Sequence, residues 1–286
     1  MARSKALIRK KSLGITGNIL KYIALIIVFV FLLFPIYWMI VTSLKVNPES
    51  YRTVPTFWPE KFSIAGYLTL FTDHVFFVYY KNNVIVSALS AIIICIVSIF
   101  AGYALSRIKI KWNRVVLATL IFTQMFPVIS RLISLYTILS KIGLNDTLIG
   151  LVFAICATQI PFAVSLMASF FDSIPRDIEE AAYVDGCGRL RTLFGIVVPL
   201  VVPGLLAVGI YSFLMTWDDY LHAITLIRSE SLWTLSQGLK LTYLGEVSDW
   251  QLINSASALG ILPMVFIFFF FQKYMIKGLT AGAVKG

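Results

Sequence analysis

The side chains best placed to act on a partner lie in the segment Ser173-Ile-Pro-Arg-Asp-Ile-Glu-Glu-Ala-Ala-Tyr-Val-Asp-Gly186. Their chemistry suits docking rather than bond-making. Pro175 fits the first turn of a helix, where its missing N–H costs nothing. Asp177, Glu179 and Glu180 then fall in the early turns, where carboxylates complement the positive end of the helix dipole. Ile178, Ala181, Ala182 and Asp185 recur at helical neighbour spacings, and the first three form one low, smooth face. Gly186 can close the helix in a left-handed conformation that a side chain resists. The expected product is a short docking helix with acidic flanks. A capped interfacial helix without a partner is the plainer alternative.

Nothing in the chain completes a catalytic set. No Gly-Lys dipeptide occurs, so the phosphate loop G-x-x-x-x-G-K-[ST] is absent and no nucleotide is expected on this chain. Neither Gly-x-Ser-x-Gly nor His-Glu-x-x-His occurs. Cys95, Cys156 and Cys187 are isolated, and His74 and His222 stand far apart without cysteine, so neither a disulfide framework nor a metal site is expected. The reading is a non-enzyme that binds no cofactor of its own.

The elements that carry the segment are apolar. A hydrophobic fraction of 59% with 13% charged residues does not describe an ordinary water-soluble domain. Continuous apolar runs reach the roughly 20 residues that a helix needs to cross hydrocarbon. Six spans are expected, at 21–43, 83–105, 115–138, 148–171, 196–217 and 252–275, giving an all-α integral membrane fold. The first follows a basic stretch but is too long for a signal peptide, and reads as an uncleaved anchor. Around them lie a basic N-terminus (1–20), external loops (44–82 and 218–251), a loop carrying the docking helix (172–195) and a tail (276–286).

Placing both ends in the cytoplasm puts 16 of the 24 Lys and Arg residues on the inner side, including Arg107, Arg176 and Arg189, with Arg131 and Lys141 counted in an outer loop. The net charge of +10 is then an inner-face excess that meets anionic lipid, and nucleic acid is not expected as a partner.

Within the spans, Gln124 and Gln159 lie beside Pro127 and Pro161, and Asn83 and Asn254 lie at span ends. These four are candidates to line a translocation path; hydrogen bonding between helices is the alternative for each. No Asp, Glu, Lys or Arg occurs between Val115 and Ser130, Leu148 and Phe171, or Ile196 and Thr216. A carrier driven by protons or ions commonly needs such a group, so the energy is expected from elsewhere. The outer loop after the fifth span combines Trp217, Asp218, Trp233 and Tyr243, which suit a sugar, a soluble partner or the headgroup belt, with the belt favoured for Trp217.

Glu180-Ala181-Ala182, Gly186 four residues later, and Ile196, Val198 and Pro199 beyond it resemble the EAA loop of ABC importer permeases. Thr123-Gln-Met-Phe-Pro127, Trp217-Asp-Asp-Tyr220 and the glycine-rich end Gly278–Gly286 extend the likeness to the MalG-type permeases of carbohydrate importers. Asp218 stands where family members often carry Asn.

The resemblance implies a type I importer architecture in a bacterial or archaeal plasma membrane. It implies a second, MalF-like permease, two ATPase subunits that bind ATP and magnesium, and an extracytoplasmic sugar-binding protein. It places Glu180, Ala181, Ala182, Asp185 and Gly186 against the ATPase, with Leu279, Thr280, Gly282 and Lys285 reaching between the ATPases. Trp217, Asp218, Trp233 and Tyr243 become candidate contacts to the binding protein. A permease of the same type for another polar solute such as a polyamine, and a membrane scaffold that recruits without transporting, remain the other readings.

Overall fold

The computed structural model describes residues 2–108, 112–243 and 249–281. Its elements are helical, and among the described residues the one extended pairing is an isolated bridge between Lys45 and Phe62. In chain order they are α1 (Ala2–Ser43), α2 (Asn47–Ser50), α3 (Ala65–Thr72), α4 (His74–Arg107), α5 (Asn113–Gln124), α6 (Val128–Lys141) and α7 (Leu148–Asp172). There follow α8 (Asp177–Val184), α9 (Arg189–Thr192), α10 (Val198–Leu200), α11 (Val202–Trp217), α12 (Leu221–Leu226), α13 (Leu235–Gly238) and α14 (Trp250–Ala281). Among the described residues, four stretches are long and apolar enough to cross a membrane: Leu20–Ser43, His74–Arg107, Leu148–Asp172 and Trp250–Gln272. The stretches expected at 115–138 and 196–217 are each broken. Val115–Gln124 and Val128–Lys141 meet at 100°, and Arg189–Leu200 and Val202–Trp217 at 78°. Proline accounts for both breaks, because Pro127 precedes α6 and Pro203 opens α11, and neither can continue the hydrogen-bond ladder behind it.

The chain divides into two units, residues 1–72 with 246–259, and residues 73–245 with 260–286. In the first, Lys45 lies over the Trp38 ring at 4.6 Å and donates to the Thr56 carbonyl. Burial pushes the Glu49 carboxyl up, but Thr56 Oγ1 at 2.5 Å and the backbone amide of Glu60 at 3.1 Å donate to it and leave it below the usual range. Gly66 is required there, since a Cβ would stand 2.5 Å from Ser255 Oγ.

The second unit is built on α4 and α7, with α11 packed against both. Val86 and Ile94 of α4, Leu151, Ile155, Met167 and Phe171 of α7, and Val208 of α11 are buried together. Asp73 starts α4 by accepting from the Val75 amide at 3.0 Å, and Thr147 starts α7 by accepting from the Gly150 amide at 3.0 Å. At Gly102 the two helices nearly touch: a Cβ would lie 2.9 Å from Met167 Cβ.

The loop before α7 is clamped by Asp146, which holds a left-handed φ of 56°. Its amide donates to the Leu226 carbonyl at 2.9 Å. Its carboxylate accepts from Ser229 Oγ (2.5 Å) and from the amides of Ser229 (2.9 Å) and Arg228 (2.8 Å), which hold the carboxyl below its ordinary range.

Two outcomes are expected. Gly102→Leu should destabilise the detergent-solubilised chain by about 1–3 kcal/mol, because neither helix can retreat without uncovering the core. A depressed carboxyl stabilises the fold above the unfolded pKa and ceases to do so as pH falls through the folded value. Asp146→Asn should therefore cost about 1 kcal/mol at neutral pH, discounted for its exposed partners, and should flatten the acid limb of a Tm-versus-pH curve.

Candidate functional site

Helix α8 is the short helix expected from the spacing. It begins at Asp177, so Pro175 lies just ahead of it rather than in its first turn. Three carboxylates, Asp177, Glu179 and Glu180, occupy the first turn in place of a side-chain cap. Gly186 ends the helix at φ 80°, its amide bonded to the Tyr183 carbonyl at 3.1 Å, and the Cys187 amide reaches the Ala182 carbonyl at 2.9 Å.

The inward side of α8 is an ion-paired anchor. Glu179 is 4% exposed. Its Oε1 accepts from Arg107 Nε at the end of α4, and its Oε2 accepts from the Tyr103 hydroxyl at 2.6 Å. Arg107 also donates to the Ile174 carbonyl at 3.0 Å, and Arg176 donates to the Ser106 carbonyl at 2.9 Å. Ser106 Oγ completes the knot by donating to Asp172 Oδ1 at 2.6 Å. Both members of the ion pair are under one-tenth exposed, so their attraction is little screened and the remaining donors and acceptors offset the cost of burial.

The outward side is open. Glu180, Ala181, Asp185 and Gly186 are exposed, as is, at 88%, Val184, while Tyr183 is exposed but lies on Glu179's side, its hydroxyl 3.4 Å from that of Tyr103. Ala182 departs from the expected face. It follows Glu179 by three residues, shares its inward side and is 5% exposed. Spacing alone missed Glu179, because its partner Arg107 lies 72 residues away and no local pattern pairs them. Of the tail candidates, Leu279 and Thr280 fall in the last turns of α14, while Gly282 and Lys285 lie outside the described residues.

A second constellation forms where α5 and α6 break. Gln124, Arg131, Gln159, Asp218, Asp219 and His222 supply the polar lining of a cavity of about 660 Å³, with Phe162 and Tyr211 in its wall. Gln124 Nε2 donates to the Thr158 carbonyl at 2.9 Å, Gln159 Nε2 to Thr216 Oγ1 at 3.2 Å, and Arg131 Nη1 reaches Gln124 Oε1 at 3.3 Å. Asp219 Oδ2 faces His222 Nδ1 at 2.7 Å. Two of the four path candidates, Gln124 and Gln159, thus meet. Asn83 does not join them: it is 1% exposed and donates to the Trp217 carbonyl at 3.1 Å, the helix-bridging alternative. Asn254 belongs to the first unit and donates to the Trp250 carbonyl of its own helix at 2.7 Å. Arg131, counted among the outer-loop charges, lines this cavity. It follows Pro127 by four residues, and the sharp break brings it back beside Gln124.

The aromatic candidates are corrected in the same way. Trp217 is 5% exposed, stacks on Phe213 at 5.6 Å and donates Nε1 to the Gly260 carbonyl at 3.1 Å, so it is neither a belt residue nor a surface contact. Tyr243 is buried, with its hydroxyl on Asp73 Oδ2 at 2.7 Å and its pKa raised, first by burial. Trp233 is half-buried against Tyr79 at 5.8 Å. Asp218 stays exposed at the cavity.

The anchor of α8 yields a double-variant expectation. Arg107→Met or Glu179→Leu alone should cost about 3–5 kcal/mol in thermal unfolding, because each leaves a buried charge unpaired, and the double variant should cost less than the sum.

Comparison with known proteins is consistent with this geometry. Residues 94–281 match the family model described as "Binding-protein-dependent transport system inner membrane component". The sulfoquinovosyl glycerol transport system permease protein SmoH of Agrobacterium fabrum is 35% identical over 95% of this chain and 95% of its own. The trehalose/maltose transport system permease protein MalG of Thermococcus litoralis is 31% identical over 94% of this chain and 97% of its own. The fold resembles a chain from the crystal structure of a bacterial importer of the acidic polysaccharide alginate, with a TM-score of 0.80 at 23% identity over 90% of this chain and 95% of that one. The chain belongs to the binding-protein-dependent transport family of inner-membrane components, and is a multi-pass permease subunit of an ABC transporter in which ATP hydrolysis falls to a separate subunit.

Proposed function

We propose that this chain forms half of the translocation pathway for a sugar or oligosaccharide and that α8 couples the pathway to a cytoplasmic ATPase. One observation carries the coupling reading: α8 is held to α4 through Glu179 and Arg107, while Glu180, Ala181 and Val184 on its other side are left exposed. A docking element must be firmly attached on one side and free on the other. Force received on the free side then passes to the transmembrane helices, because the buried pair resists separation. The sugar reading draws on the substrates named for the SmoH and MalG relatives.

In this arrangement both termini are cytoplasmic, in line with the inner-face excess of Lys and Arg. A MalF-like permease completes the pathway, two ATPase subunits bind ATP and magnesium, and an extracytoplasmic binding protein delivers the sugar. The end of α14 approaches the ATPases. Nucleotide then shifts the inward–outward equilibrium through its different affinity for the two states.

The test is affinity capture of the tagged chain from mild detergent, with bound proteins identified by mass spectrometry. Wild type should bring down an ATPase and a second permease. Ala181→Trp, which places bulk on the exposed face, should lose the ATPase and keep the permease. Absence of any ATPase from the wild-type capture, under conditions that keep a control importer whole, overturns the coupling role.

A further inference from the structure

Three of the eleven buried side-chain atoms that lack a hydrogen-bond partner among the described residues border one cavity. They are Arg131 Nε, Gln159 Oε1 and His222 Nε2, and all three residues line the cavity at the α5–α6 break. His222 is itself 5% exposed. Leaving such atoms unpaired costs free energy, so a cluster of them marks a place where something else completes the bonds. The volume of about 660 Å³ falls in the range of small-molecule sites, roughly 300–1,000 Å³.

The kinds of capacity identify the class. Arg131 Nε–H is a donor and Gln159 Oε1 an acceptor. His222 Nδ1 is turned to the Asp219 carboxylate, which leaves Nε2 an acceptor in the neutral ring. A carboxylate or phosphate ligand only accepts, and would meet Asp218 and Asp219 across the cavity. A polyamine only donates, and would meet Arg131. A hydroxyl does both. The Phe162 and Tyr211 rings, 4.8 Å apart, offer an apolar face of the kind that packs against the C–H face of a sugar ring. We infer that this cavity is a subsite for a neutral, hydroxyl-rich sugar unit, so that this subunit itself contacts the transported solute. The inference rests on the sugar-importer reading and deepens it.

The assembly captured through the tagged chain, reconstituted in nanodiscs without binding protein, is probed by saturation-transfer difference NMR with trehalose, raffinose, glucuronate and spermidine. A neutral sugar should show the largest transfer, reduced about fivefold in Arg131→Gln and in Gln159→Leu, the factor expected for one lost hydrogen bond. Asn254→Ala should leave it unchanged. Should Arg131→Gln not fold, the near-isosteric Gln159→Met decides, with an unchanged melting midpoint as its control. Stronger transfer to glucuronate or spermidine, equal transfer in every variant, or no transfer to either sugar overturns the subsite. If the ATPase is still captured, those outcomes sink the subsite alone. Loss of both the ATPase and the sugar signal sinks the importer reading with it.

Discussion

A buried charge is tolerable only when an opposite charge and enough donors surround it, and in this chain that condition is met at the end of α4. Arg107 and Glu179 are each under one-tenth exposed, and Tyr103, Ser106 and the Ile174 carbonyl engage the pair or the residues beside it. Removing one member would strand the other. The geometry of the turn from α7 into α8 therefore follows from electrostatics more than from apolar packing, since α8 itself contributes little buried surface beyond Ala182. The open face of α8 depends on this anchor. An eight-residue helix is too short to persist in water alone.

A second theme is the use of proline to aim polar side chains. The break at Pro127 returns Arg131 toward Gln124, while Pro203 opens α11 after a 78° turn. In a nonpolar surrounding, irregular backbone is tolerated where it is enclosed by protein or borders a polar cavity. The cavity at the first break satisfies that condition, with glutamine, arginine, aspartate and histidine side chains in its lining.

What could be read from the chain follows the range of each interaction. Long apolar runs announce helices without knowledge of their neighbours, and Gly186 announces its own left-handed turn. The acidic residue that anchors α8 could not be told from the one that faces outward, because Glu179 and Glu180 are adjacent and differ only in which side of a helix they occupy. Trp217 and Tyr243 looked like surface aromatics because they sit among charged residues in a connecting segment. Their polar atoms instead find the Gly260 carbonyl and Asp73, partners set by the folding of distant parts of the chain. The expected span 115–138 already contained Arg131, but a straight helix could not show that the chain turns sharply after Gln124 and brings Arg131 back to it.

The close approach at Gly102 has a mechanical meaning. With Gly102 against Met167, α4 and α7 approach closely near the end where α8 is attached, a contact that would serve as a pivot. Gln159 lies on α7, thirteen residues before its last residue Asp172, or about 20 Å along a helix axis. The ion pair ties α8 to α4, and α7 meets α4 at the near-touching glycine, so the contact at Gly102 lies between the tied end and Gln159. On the coupling proposed above, a tilt delivered at α8 would reach Gln159 as a sideways displacement, with a gain set by the distances on either side of Gly102. A side chain placed at position 102 would push the two helices apart and shift such a fulcrum even where it left both ends intact.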